Sequence, residues 1–264
     1  MTPLRSLGNP DNSSYDDVFA ATGKRYNHFY PSTAYSVFFD GDDDKLTLAA
    51  TSDFAFSTGD FTIECWALRL EDNDAYSRLM HFGPYWSSND AVGLCFDDGD
   101  HANKITFSSY NNLNQGDVPA NGRVLISSSS VVSDVWYHVA VTRSSGTFRL
   151  FIDGTLEDTD SSITSRSLES SSTNTLAIAG TVDRMVSEPF DGRISNVRVT
   201  KGQALYTSSF TPANVNFTTT SEGASASNVK LLCCNDSSAT GSSVTPGTIT
   251  AAGAPSVSSI NPFY

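Results

Sequence analysis

The strongest constraint on this chain is a period of two. Phe61, Ile63, Cys65 and Ala67 alternate with Thr62, Glu64, Trp66 and Leu68, so apolar and other side chains fall on opposite faces of a pleated strand. Phe148, Leu150 and Ile152 alternate with Thr147, Arg149 and Phe151, and Asp153-Gly154 then offers the positive-φ pair of a tight hairpin into Thr155-Leu156-Glu157. Similar runs occupy 35–39, 45–49, 76–82, 91–96, 104–108, 122–127, 136–143, 175–179, 190–199 and 228–234. No window of about eleven residues or more carries a helical apolar stripe, and Lys201–Tyr206 is the one plausible helical turn. Short strands at ~8–12-residue spacing without strand–helix alternation predict an all-β antiparallel sandwich. Ile194 and Val197 are three apart, so pointing both inward requires a bulge near Ser195-Asn196.

Composition narrows the class of partner. Hydrophobic residues make up 39% of the 264, enough for a core, while charged residues reach only 17%, against roughly 25% in ordinary soluble proteins. Lys and Arg number 16 and Asp and Glu 29, a net charge of −13. That balance excludes a nucleic-acid binder, which needs basic patches, and disfavours an anionic membrane surface. No apolar run approaches the ~20 residues that span a bilayer, so no membrane insertion is expected. The first residues lack an apolar stretch, and a cleaved secretory signal is not expected.

Cys65, Cys95, Cys233 and Cys234 each lie in an apolar, strand-like run. Neighbouring strand residues face opposite ways, so Cys233 and Cys234 are not expected to serve one site. The absence of CxxC spacing argues against structural zinc. Buried free thiols are the favoured reading, with a Cys65–Cys95 disulfide as the alternative.

The ends differ from the middle. Residues 1–34 carry Pro3, Pro10 and Pro31 among polar residues, with aromatics at Tyr15, Phe19, Tyr26, Phe29 and Tyr30. This predicts an arm whose rings dock on a partner. Residues 236–264 are rich in Ser, Gly, Ala and Pro and end in Ile260-Asn261-Pro262-Phe263-Tyr264, which predicts an extended tail with an apolar tip.

Several phrases of the middle segment together resemble a known family. They are Tyr35–Gly41 with Leu46-Thr47-Leu48, Phe54–Trp66, Trp136–Arg143, Phe151–Gly154, Phe190–Val199 and Tyr206–Pro212. In order and spacing they resemble concanavalin A-like, laminin-G/pentraxin-type domains. Lys201–Pro212 and Leu231–Cys233 are similar to versions found in structural proteins of tailed bacteriophages, marine and cyanobacterial ones especially. The resemblance implies a jelly-roll sandwich of two curved antiparallel sheets over 35–235, flanked by the arm and the tail.

Three chemistries bear on such a sandwich. Retaining glycoside hydrolases of this fold carry Glu-x-Asp-x-x-Glu, which sets two carboxyl groups ~5–5.5 Å apart; no such phrase occurs, and Glu64 stands alone on its strand. His28, His81, His101 and His138 are scattered, and no nucleophile elbow, zinc pair or phosphate loop is present, so no catalysis is expected. Asp40 and Asp42 in Asp40–Asp44, and Asp97 and Asp98 in Asp97–Asp100, place hard oxygen donors in turns and are candidate Ca²⁺ ligands; the same residues are good hairpin chemistry, and no cofactor is required. Tyr85, Trp86, Tyr110 and Asn111 sit in or beside loops and form a candidate glycan or subunit contact, whereas Trp66 reads as core.

The expectation is a non-enzymatic virion structural protein, synthesised in a host cytoplasm and displayed on the virion surface. A capsid decoration or knob protein fits best, with a tail or tail-fibre component or a free lectin as alternatives. Its partners would be the major head protein or tail subunits and host-surface glycans. A homotrimer is common among such projections, without any heptad here to support one.

Overall fold

The computed structural model describes residues 34–71, 76–83, 91–96, 101–110, 123–165, 167–168, 175–182 and 189–263. Sixteen strands follow one another: β1 (Ser36–Asp40), β2 (Lys45–Leu48), β3 (Phe61–Arg69), β4 (Ser77–Phe82), β5 (Ala91–Phe96), β6 (Ile105–Tyr110), β7 (Arg123–Ile126), β8 (Trp136–Ser144), β9 (Thr147–Ile152), β10 (Thr155–Asp160), β11 (Leu176–Ile178), β12 (Asp191–Lys201), β13 (Val229–Cys233), β14 (Ser242–Val244), β15 (Ile249–Ala252) and β16 (Ser256–Ser258). Two short 3₁₀ turns, Ser52–Phe54 and Ser221–Gly223, are the only helical elements among the described residues.

The strands form two antiparallel sheets, as an all-β sandwich requires. Sheet A runs β10-β9-β8-β3-β12-β1-β16, with β13 and β14 continuing outward from the far half of β12; sheet B runs β15-β2-β11-β4-β5-β6-β7. Val37, Ile63, Cys65, Val139, Val141 and Ile194 face Leu46, Met80, Phe82, Leu94, Phe96 and Phe107 across a single core. Phe61 lies at its centre, 4.8 Å from Phe56, 6.3 Å from Phe107 and 6.2 Å from Phe148 between ring centroids. Each such ring contributes about 1.5–3 kcal/mol by leaving water.

The bulge demanded by Ile194 and Val197 is present. The register of β12 on β3 shifts between Ser195 and Arg198, and Asn196 takes the left-handed conformation, φ 53°. Both apolar side chains then point into the core, fully buried. The Asp153-Gly154 hairpin forms as expected, with φ 48° and 75°. Gly154 is required there, because a Cβ would meet the Phe210 carbonyl oxygen of a crossing segment.

Three expectations change. Lys201–Tyr206 is not helical: Lys201 closes β12, the Gly202 N–H donates to Asp60 O (2.7 Å), and the Leu205 N–H donates to Thr62 Oγ1 (2.9 Å). Its polar groups therefore bond to β3 and the residue before it rather than to each other. Cys233 and Cys234 do not diverge. Cys234 lies just past the end of β13 with φ 61°, which turns its Sγ to 3.7 Å from that of Cys233, and both join the core. All four cysteines are free and buried. Finally, the segment from 236 onward is woven into the sandwich. β14 pairs with β13, β15 with β2 and β16 with β1, because Val244, Ile249 and Val257 alternate with small residues and the sheet edges there need partners. The arm residues Tyr15, Phe19, Tyr26, Phe29 and Tyr30 lie outside the described residues.

Candidate functional site

Strand alternation places Glu64 of β3, His138 of β8 and Arg198 of β12 on the outer face of sheet A, since Ile63, Cys65, Val139, Val197 and Val199 fill the inner one. There the one carboxylate of β3 is fully engaged. Arg198 Nε donates to Glu64 Oε1 (2.7 Å), Tyr206 Oη donates to Oε2 (2.9 Å), and His138 Nε2 lies 3.1 Å from Oε2. Arg198 Nη1 donates to the Thr218 and Ser221 carbonyls (3.1 and 3.0 Å). Residues 202–227 thus cross this face as a strap tied to the carboxylate. Phe210 and Phe217 stand edge-on to His138 at 5.7 and 5.8 Å. Trp66 belongs to this outer cluster rather than to the inter-sheet core, with Phe263 against its ring at 5.9 Å.

Burial pushes the Glu64 carboxyl up, but the His138 bond and the Arg198 guanidinium outweigh it and hold the group below its usual range. Burial and the neighbouring Glu64 anion push the Tyr206 phenol well up. Glu64 has no exposure, and its partners are a guanidinium, an imidazole and a phenol rather than a second carboxylate. This constellation clamps a strap onto a sheet; it offers no acid–base pair to a substrate.

The outer face of sheet B has the opposite character. Val92, Leu94 and Phe96 point into the core, which leaves Gly93 and Cys95 outward. Pairing extends their rows into His81–Gly93–Ser108 and Arg78–Cys95–Thr106. A Cβ on Gly93 would collide with Arg78 Nη1, so the glycine lets the guanidinium lie flat on the sheet. Cys95 Sγ and Thr106 Oγ1 are 3.0 Å apart, and Arg78 also stands over the Tyr76 ring at 5.7 Å. Arg78, His81, Thr106 and Ser108 are all buried. Burial, with the positive Arg78 nearby, lowers the His81 pKa to about 3, so its ring is neutral at physiological pH. Sequence reasoning missed this polar floor, although Thr106 and Ser108 alternating with Ile105 and Phe107 was a legible signal.

The same register places the expected contact residues. Phe82 pairs with Val92 and Ala91 with Tyr110, so the connections out of β4 and out of β6 start from one end of sheet B. Tyr110 is the last residue of β6. Tyr85, Trp86 and Asn111 belong to those connections and lie outside the described residues. The β5–β6 connection, with Asp97 and Asp98 also outside them, starts from the opposite end.

Of the candidate metal ligands, Asp40 converges with Asp43 and Asp44, their carboxylates within 4.8 Å of one another, and Asp42 is not part of the group. The Asp42 N–H instead donates to Asp40 Oδ1 (3.0 Å). Asp44 turns inward, accepting from the Asp40 N–H at Oδ2 (3.2 Å) and from the Ala254 N–H at Oδ1. Burial raises its pKa against these bonds. Calcium takes 6–8 oxygens. A set of three carboxylates with Asp44 committed to backbone N–H groups does not match that demand.

The family described as the concanavalin A-like lectin/glucanases superfamily matches residues 40–209. No curated protein matches the sequence. Among solved structures, a Bacteroides ovatus protein described as carbohydrate-binding is 13% identical, covers 86% of this chain and 60% of its own, and superposes with a TM-score of 0.52. A heptameric SAP-like pentraxin from Limulus polyphemus is 14% identical over 65% of this chain and 78% of its own, TM-score 0.47. A tailspike protein of an Escherichia coli bacteriophage is 17% identical over 64% of this chain and 22% of its own, TM-score 0.42. At these identities the likeness is one of fold.

Proposed function

The chain belongs to the concanavalin A-like lectin/glucanases superfamily through residues 40–209, and on that premise we propose that it is a non-enzymatic, glycan-binding structural protein of a tailed-phage virion. The observation that carries the glycan reading is the register of sheet B, which roots the connections bearing Tyr85, Trp86 and Asn111 at one end, beside Tyr110. Aromatic and amide side chains suit sugar rings, which offer apolar faces rimmed by hydroxyls. The non-enzymatic part rests on Glu64, whose carboxylate is consumed by its partners.

The virion part is supported by the phage-type phrases at Lys201–Pro212 and Leu231–Cys233. A second support is where the arm meets the sandwich. Asn261 Nδ2 donates to the Ala34 carbonyl (3.4 Å) and Ser36 Oγ to the Ile260 carbonyl (2.6 Å). Arm 1–34 therefore joins the sandwich at the side built by the last strands. The setting is the virion surface, as a capsid decoration or knob.

Two experiments test the reading. On a glycan array the protein is expected to retain specific sugars, Tyr85→Ala and Trp86→Ala to lose them, and none of those sugars to be hydrolysed; binding unaffected by both substitutions overturns the site. Deleting residues 1–33 is expected to abolish incorporation into particles while the sandwich stays folded; normal incorporation overturns the anchor.

A further inference from the structure

Of the four free cysteines, Cys95 faces outward from sheet B with its Sγ 3.0 Å from Thr106 Oγ1. Cys65, Cys233 and Cys234 lie together in the core between the sheets, and the last two are neighbours in the chain. An extended strand would send their side chains to opposite faces. Here β13 ends at Cys233, and Cys234 takes φ 61°, a backbone conformation that strains any residue with a Cβ. The result of that strain is a contact: the Cys233 and Cys234 Sγ atoms lie 3.7 Å apart, with neither residue exposed to solvent.

We infer that Cys233 and Cys234 form a reversible dithiol–disulfide site, closed into a ring by exchange with a low-molecular-weight disulfide. The thiolate of one cysteine attacks the reagent, displaces one thiol from it and leaves a mixed disulfide. The thiolate of the other attacks the protein sulfur of that mixed disulfide and displaces the second thiol. The two cysteines lose two protons and two electrons, and the reagent disulfide is reduced to two thiols.

Geometry makes the bond labile. Consecutive Cα atoms are about 3.8 Å apart, below the roughly 4.4–6.8 Å that ordinary disulfides span. The ring is therefore strained and easily reduced, as suits a switch rather than a staple. The hydrogen bond with Cys234 and burial raise the Cys233 thiol, which keeps the nucleophilic thiolate scarce in the closed fold. Exchange therefore waits on transient opening of this corner. Its state is felt nearby: the Asn196 N–H at the β12 bulge donates to the Cys234 carbonyl (3.3 Å), and Cys233 pairs with Ser242 of β14. The inference is independent of the glycan reading, since its residues and its measurement are different.

The full chain, unfolded in urea and dialysed into native buffer containing mixtures of reduced and oxidised glutathione, tests it. As the oxidised fraction rises, the thiols titrated after denaturation are expected to fall from four to two. Peptide mass mapping is expected to place the bond between Cys233 and Cys234, and dithiothreitol to restore all four thiols. Cys65→Ala is expected still to lose two thiols. Cys234→Gly, which suits the left-handed backbone, is expected to lose none, both variants keeping a native circular dichroism spectrum. Amide shifts between the two states are expected at Asn196, Asn235 and Ser242 and not at Thr106. Four thiols at every ratio, a bond from Cys65 to either neighbour, a glutathione adduct that never closes, or a loss of thiols that survives Cys234→Gly overturns the inference.

Discussion

Glu64 and Arg198, 134 positions apart in the chain, meet at 2.7 Å with neither side chain exposed to solvent. The pair joins β3 to β12 and, through Arg198 Nη1, both strands to the strap at Thr218 and Ser221. Removing one member strands a buried charge, whereas the intact pair stabilises only modestly over an apolar replacement. Glu64→Ala is therefore expected to cost about 3–5 kcal/mol, measured by urea unfolding. A loss below about 1 kcal/mol would show that the strap holds without the carboxylate.

Acid is expected to unfold the protein through three groups that act in one direction. The unfolded chain protonates His81 near the ordinary 6.5, whereas the folded chain resists down to about 3, so stability falls as pH drops across that window. Glu64 and Glu157 are held below their ordinary 4.5. Their stabilisation is complete above that value and drains as pH falls through the folded values. Differential scanning calorimetry should show the melting temperature declining from about pH 6.5 downward, and nuclear magnetic resonance should show the His81 ring failing to titrate above about pH 4. A ring that titrates near 6.5 contradicts the buried placement.

The edge strand β10 makes a smaller prediction. Glu157 is held below its ordinary range by its bonds to Ser128 and Ser129. Its replacement by Gln is expected to lower the melting temperature at neutral pH, and to lower it less in acid strong enough to protonate the native carboxylate. An equal effect at both pH values would assign the loss to shape rather than charge.

Asn196 combines backbone and side-chain roles. Its left-handed φ makes the bulge, its Oδ1 accepts from the Phe217 N–H (2.7 Å) and Asn235 Nδ2 (3.1 Å), and its Nδ2 donates to Ser195 Oγ (2.8 Å). Asn196→Val is expected to cost about 2–4 kcal/mol, from strain at a β-branched residue plus unsatisfied buried groups. Asn196→Gly keeps the backbone and is expected to recover part of that. Equal losses in the two variants would assign the whole effect to the side chain.

Truncation after residue 236 separates a free tail from an integrated one. The structure predicts a fall of about 10 °C or more, since Ile249 and Phe263 lose their burial and two sheets lose edge partners. An unchanged melting temperature would mean that these strands are ornamental.

The strand ladder was legible because β3, β8 and β9 alternate in the sequence as they do in the sheet, and because Ile194 and Val197 cannot both face inward without a bulge. The last strands were not legible. In β14, β15 and β16 Ser, Thr and Ala outnumber the larger apolar residues, and what makes them strands is the exposed edge they cover, which lies far away in sequence. Cys233 and Cys234 misled for a related reason: alternation ends where one residue turns left-handed. The Glu64 clamp was half visible. The isolation of Glu64 argued against hydrolysis, but its partners His138, Arg198 and Tyr206 come from three separate segments that only folding brings together.

Amide shift mapping of the isotopically labelled protein, titrated with a sugar it retains on the array, locates the glycan contact on the sandwich. Shifts are expected to concentrate at Phe82, Ala91 and Tyr110 and along the connections that leave from them, with the β14–β15–β16 side silent. Shifts centred on the strap over Glu64, or no sugar that moves any amide, would contradict it.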